Sequence, residues 1–217
     1  MENNLNVPVL IVGESGSGKS SSFRNLPPER TVVINTERKS LPFRNFKDFR
    51  NIDIDGVKKM TKLIDELKKS EDYDYVVIDS FTSFHEHALK YATATGDGYS
   101  KWDIYANVLY ELIQSLKDLK QQVFVTSVPE YLEVGLGDQK GYARAKGKVM
   151  RYGAVEKEFA IVLWTHLEED GDGMVTDYQF KYKPNRHNNS KAPHEMFDGD
   201  VPNDCLFVSN AIKAYYE

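Results

Sequence analysis

Residues 13–20 read Gly13-Glu14-Ser15-Gly16-Ser17-Gly18-Lys19-Ser20, directly behind the apolar run Val7-Pro8-Val9-Leu10-Ile11-Val12. The spacing G-x-x-x-x-G-K-[ST] is that of a phosphate-binding loop, the Walker A pattern. Each residue type has a physical task. Glycines let the backbone curl so that its N–H groups face phosphate oxygens, Lys19 neutralises β/γ-phosphate charge, and the Ser20 hydroxyl is a hard ligand for Mg²⁺. The nucleotide-binding set expected from the motif is Gly13, Glu14, Ser15, Gly16, Ser17, Gly18, Lys19, Ser20 and Ser21. The segment that follows is expected to open a helix whose N-terminal dipole favours the anion. A strand in front and a helix behind are the context that separates this motif from a chance Gly/Ser-rich turn.

Working outward, β-branched runs recur at Val7 to Val12, Thr31 to Asn35, Tyr75 to Asp79 and Val123 to Ser127. Each is almost continuously apolar, as a strand covered on both faces should be, which implies a parallel sheet. Helical spacing lies between them, in Met60, Leu63, Ile64 and Leu67 and again in Ile104, Val108, Leu112, Ile113, Leu116 and Leu119. Alternating strand and helix give an α/β core. After Glu156 the pattern changes: an apolar run from Phe159 to His166, the turn Glu169-Asp-Gly-Asp-Gly173, then Val175 to Lys183 read as a C-terminal β-hairpin extending the sheet. Asp170 and Asp172 belong to that turn, since their spacing and the missing bidentate glutamate do not make a calcium loop.

At 217 residues, with 41% hydrophobic content, the chain suits a single domain over 1–217, with mobile loops expected at 91–102 and 131–151. The net charge of −5 argues against a surface that binds nucleic acid everywhere and leaves room for a local basic patch. No apolar run reaches membrane-spanning length and the N-terminus lacks the order of a secretion signal, so a cytoplasmic location and no membrane partner are expected. The single cysteine, Cys205, builds neither a disulfide framework nor a metal site and reads as a buried apolar residue. His85 and His87 do not share a helix face and lack further ligands nearby in sequence, so they read as structural.

A phosphate loop needs a second acidic group at the end of a neighbouring strand, and Tyr75-Val-Val-Ile-Asp79-Ser80 supplies it. Asp79 is the expected second Mg²⁺ residue beside Ser20; its alternative is a cap on the next helix. Ser80 stands where many related sites carry a glutamate, so the catalytic base must come from elsewhere. Glu37, at the carboxyl end of the strand Thr31-Val-Val-Ile-Asn-Thr, is the candidate, because ligands of open α/β sheets gather at that edge and a carboxylate there can polarise an attacking water. Its alternative is an exposed loop glutamate beside Arg38 and Lys39. Lys19, Glu37 and Asp79 are thus the expected catalytic set, and Thr126 and Ser127 offer hydroxyls that could sense the γ-phosphate.

Together these segments resemble the RecA-like P-loop ATPases, in which a Walker A loop is followed by a strand ending in a D-[AT]-E-like tripeptide and then by V-[IV]-D-S. The counterparts are Gly13 to Ser20, Asn35-Thr36-Glu37 and Val77-Ile78-Asp79-Ser80. Lys181-Tyr-Lys183 and Ser190-Lys191-Ala192-Pro193 look like the strand and lysine-bearing turn of that family. The resemblance therefore implies that Lys183 or Lys191, with Arg186 as a further candidate, reaches a neighbouring subunit's γ-phosphate. The early P-loop and the stretch Lys191 to Phe197 look most like the small RecA-like ATPases of phages, including the Sak-type single-strand annealing proteins. The order of motifs matches from about Val7 to Phe197. The resemblance implies ATP and Mg²⁺ as cofactors, homo-oligomers as rings or filaments, and action on single-stranded DNA in annealing or strand exchange, beside a single-strand binding protein.

From Lys140 to Arg151 the sequence KGYARAKGKVMR carries no acidic residue. Lys140, Arg144, Lys146, Lys148 and Arg151, with Tyr142 among them, offer mobile cations for phosphates and an aromatic face for unstacked bases, and they are the expected DNA-binding residues. Gly141 and Gly147 suit a loop that orders only when DNA arrives. The alternative is a solvated loop with a skewed charge. Two other functions stay open: a P-loop small-molecule kinase, and a nucleotide-gated protein-interaction module without DNA affinity. Nothing within the P-loop itself distinguishes ATP from GTP.

Overall fold

The computed structural model describes residues 6–135, 137–145 and 155–216. Eight strands form one sheet: β1 (Val9–Val12), β2 (Thr31–Asn35), β3 (Arg50–Asp53), β4 (Tyr75–Asp79), β5 (Gln122–Ser127), β8 (Ile161–Glu169), β9 (Val175–Lys181) and β10 (Val201–Pro202). Their order is β10-β9-β8-β1-β5-β4-β2-β3, and a separate two-stranded ribbon is made by β6 (Pro129–Glu133) and β7 (Gln139–Ala143). From β3 to β8 every pairing is parallel, whereas β9 and β10 are antiparallel. This is the mainly parallel α/β core flanked by helices that the alternating pattern predicts.

Both faces of the sheet are covered, which explains why its strands read as unbroken apolar runs. Leu10, Val12, Ile34, Ile78 and Val125 face one core with α1 (Val57–Leu67), α2 (Phe81–Thr95) and α3 (Ser100–Lys117). Val9, Ile11, Val33, Val77 and Phe124 face the other, with Phe23, Leu26 and α4 (Cys205–Tyr216). At about 1.5–3 kcal/mol for each fully buried aliphatic side chain, this double layer dominates the favourable side of folding. Cys205 is fully buried there, its Sγ 3.2 Å from Ser22 Oγ, and burial pushes its thiol up.

Four features depart from the sequence expectation. First, the expected β8–β9 hairpin forms, but its first strand also pairs in parallel with β1 and belongs to the core, so only β9 and β10 extend it. Second, β3 is a polar edge strand, Arg50-Asn-Ile-Asp, whose composition carries no apolar signal. Third, most of the loop expected at 91–102 is helix, since α2 runs to Thr95 and α3 starts at Ser100. Likewise much of 131–151 is the β6–β7 ribbon, with 146–151 outside the described residues.

The fourth departure is local to the P-loop. Lys19 to Leu26 forms consecutive turns instead of the expected helix. Ser22 N–H reaches Gly18 O at 3.0 Å, but Arg24 and Leu26 donate to Ser21 O and Phe23 O, three residues back. Ser22 Oγ donates to Lys19 O at 2.6 Å and Ser22 O accepts from Cys205 N at 2.8 Å, so side chain and tertiary contacts take the groups a helix would use. Pro27 and Pro28 then end the segment.

Candidate nucleotide site

The P-loop leaves the carboxyl end of β1, between β5 and β8, where the connections run to opposite sides and open sheets bind their ligands. Gly18 holds φ +92°, a left-handed value that glycine alone adopts without strain. Glu14, Ser15 and Gly16 are the exposed tip of the loop. Three donors converge on the Glu14 carbonyl: Ser17 N at 3.2 Å, Ser17 Oγ at 2.6 Å and Lys19 Nζ at 2.7 Å. Thr165 of β8 buttresses the loop by donating to Ser17 Oγ at 2.6 Å. Burial pulls the Lys19 ammonium below its ordinary value, against the opposing pull of Asp79, Glu37 and Glu14.

Asp79 ends β4, is 8% exposed, and accepts from Thr126 Oγ1 at 2.6 Å, with the Ser20 side chain beside it. Burial raises its carboxyl above the ordinary range. A carboxylate and a hydroxyl set side by side, with Lys19 near them, are the hard oxygen donors that a Mg²⁺–phosphate complex takes, so these residues fit that group. Asp79 does not cap α2. The cap is Ser80, whose Oγ accepts from Ser83 N at 3.3 Å.

Glu37 stands opposite. Ser80 Oγ donates to its Oε1 at 2.8 Å, and Lys39 Nζ lies 2.8 Å from its Oε2. Burial pushes the Glu37 carboxyl up, but the bonds from Lys39 and Ser80 and the charge of Lys19 outweigh it and leave the group below its usual range. The placement is enforced by Thr36, whose Oγ1 donates to Ser80 O at 2.6 Å and accepts from Ser80 N at 2.8 Å, tying β2 to β4. Asn35 shapes the following turn through Lys39 O and Arg38 N, both at 2.8 Å. Sequence reading missed Thr36, Asn35 and Thr165 as supports; each is a small polar residue at a strand end, recognisable only once its partner strand is known.

Lys19, Ser20, Glu37, Asp79 and Thr126 therefore meet at one edge of the sheet. Thr126 holds the Asp79 carboxylate, while Ser127 Oγ lies 3.1 Å from Thr82 Oγ1 and its carbonyl accepts from Gly13 N at 3.1 Å, so Ser127 braces the loop's first residue. The residues expected to act between subunits lie elsewhere. Lys191 bridges to Val162, level with Leu10 and so before the P-loop. Burial lowers its ammonium while Glu156 and Glu158 pull the other way. Lys183 is exposed, its Nζ 5.4 Å from the Tyr182 ring centre, and Arg186 donates to His187 at 2.9 Å.

Of the basic window, Lys140, Tyr142 and Arg144 lie on or just after β7; Lys146, Lys148 and Arg151 lie outside the described residues. Gly141 serves packing, not the expected disorder. A Cβ there would come within 2.4 Å of Trp164, and Gly141 N donates to His187 O at 2.8 Å. Ala143 N donates at 2.6 Å to Glu156, a carboxylate 3% exposed whose burial raises it. The ribbon also comes close to the P-loop, because Tyr131 on β6 lies beside Glu14; burial and the neighbouring carboxylate push its phenol up to about 12.

A family model described as AAA domain matches residues 5–198. A KaiC-like protein from the hyperthermophilic archaeon Pyrococcus horikoshii OT3 is a similar solved structure, with a TM-score of 0.49 and 18% identity over 81% of this chain and 77% of that one. A search of curated proteins found no match. No helix among the described residues is long and apolar enough to cross a membrane. With the match running from ahead of β1 to just past Phe197, and the phosphate loop, Asp79 and Glu37 gathered inside it, the chain belongs to the AAA-domain family of P-loop ATPases.

Proposed function

We propose that this protein is a Mg²⁺-dependent ATPase whose nucleotide cycle controls its hold on single-stranded DNA in phage-type recombination, by annealing or strand exchange. Glu37 orients a water and takes its proton as the water oxygen attacks the γ-phosphorus; the bond to the β-phosphate oxygen breaks and ADP leaves. Lys19 stabilises the charge that develops on the phosphoryl oxygens, and Thr126 fixes the Asp79 carboxylate. Held by Ser20 and Asp79, Mg²⁺ would neutralise the β- and γ-oxygens. A copy of the chain supplying Lys183, Arg186 or Lys191 would complete the site in a ring or filament.

The observation that carries the DNA reading is the β6–β7 ribbon. It leaves the sheet next to Thr126 and Ser127, carries Tyr142 on its second strand with Arg144 just past it, and sets Tyr131 beside Glu14 of the P-loop. A polyanion gripped by the ribbon therefore acts close to the phosphates. Hydrolysis by the purified protein, with and without a single-stranded oligonucleotide at two salt concentrations, tests this. Stimulation that fades with salt and is reduced in Arg144→Ala is expected. Equal stimulation in Lys140→Ala/Arg144→Ala, or none at low salt, overturns the DNA assignment and leaves the ATPase.

A further inference from the structure

The carboxylates fix which way a nucleotide must lie. Glu37, just past β2, and Asp79, at the end of β4, stand to one side of β1, so the γ-phosphate end points there. The ribose and base then extend to the opposite side, over β8, β9 and β10. What stands on that side at the loop's edge is specific: a Cβ on Gly18 would lie 2.8 Å from Tyr178 Cδ1 of β9 and 3.2 Å from Asn203 Oδ1, just past β10. Tyr178 is 42% exposed, and its carbonyl accepts from Asn203 N at 3.1 Å.

Asn203 is 3% exposed, yet neither its Oδ1 nor its Nδ2 has a hydrogen-bond partner among the described residues. Leaving both ends of a buried amide unpaired is costly, and such a group in a native fold calls for an explanation. A partner that arrives with the ligand is one. We propose that Tyr178 and Asn203 form the nucleobase subsite of this P-loop, taking a purine whose ring stacks on Tyr178 and whose donor–acceptor edge pairs with the Asn203 amide; the assignment rests on the nucleotide reading above. Adenine offers such an edge as N6–H with N1 or with N7, and guanine as N1–H with O6 or as N2–H with N3. Tyr178 is the exposed member of the pair on Gly18, so rotation of its ring opens the amide while keeping an aromatic face beside it.

The test compares binding of ATP, GTP, CTP and inorganic tripolyphosphate, which fills the phosphate cradle and lacks a base. The wild-type protein is expected to bind ATP most tightly, CTP more weakly, and tripolyphosphate weakest of the four. Tyr178→Ala should lose about tenfold in ATP affinity, keep its tripolyphosphate affinity, and be rescued by Tyr178→Phe. Asn203→Leu should weaken ATP binding and leave the tripolyphosphate affinity unchanged. Wild-type protein that binds tripolyphosphate as well as ATP, or a Tyr178→Ala variant with unchanged ATP affinity, overturns the subsite and spares the P-loop. Wild-type protein that binds none of the four overturns the nucleotide reading itself.

Discussion

The two flanks of the P-loop are built on opposite rules. On the β4–β2 flank the polar groups are spoken for: Asp79 by Thr126, Glu37 by Ser80 and Lys39, and Thr36 by both main-chain groups of Ser80. On the β9–β10 flank an exposed tyrosine lies beside a buried amide without partners. The first flank is pre-organised to hold developing charge, which demands fixed dipoles. The second leaves its hydrogen-bonding capacity unspent, as suits a surface whose partner is brought by the ligand.

The largest effect that would break this contrast lies at Glu37. Glu37→Gln keeps the shape and the Ser80 contact but removes the base, so kcat should fall about 100- to 10,000-fold while nucleotide affinity changes little. Single-turnover hydrolysis beside equilibrium binding separates the two, and near-normal turnover would make Glu37 a plain loop carboxylate. Next in size is stability. Thr126→Val strips a donor from a buried carboxylate and should cost about 1–3 kcal/mol in chemical denaturation. Asn203→Leu removes only an unpaired amide and should leave stability unchanged or higher. Equal losses at the two positions would erase the difference between the flanks.

The smallest effect is a pH shift. Glu37 works ionised, and Lys39 helps hold its carboxyl below the usual range, so activity is lost only as pH falls through that lowered value. Lys39→Met lets the carboxyl rise, and the acid limb of the kcat profile should move to higher pH by a fraction of a unit. A move to lower pH, or none, would show that Lys39 does not act on Glu37.

The same division decides what could be read in the residues alone. The P-loop, Asp79 and Glu37 follow local spacing and strand ends, and the sheet order brings them together as expected. Tyr178 and Asn203 are separated from Gly18 by more than half the chain, and neither sits in a pattern that spacing could flag. Arg50 to Asp53 is too polar to announce a strand, since it pairs on one side only. The run at β8 signalled a strand correctly, but parallel pairing with β1 is a property of the connection through residues 128–160, not of the run. The turns after Lys19 reflect Cys205, a partner far along the chain, drawing off the Ser22 carbonyl.

The close approach of Gly141 to Trp164 turns the ribbon into an instrument. Trp164 is 7% exposed and sits under β7; the chain's other tryptophan, Trp102, lies on α3. In a Trp102→Phe background the indole of Trp164 is the sole long-wavelength emitter, and its emission shifts red wherever lifting of the ribbon admits water. The protein thus carries its own optical gauge of what ATP does to the surface proposed to hold DNA, with no label attached.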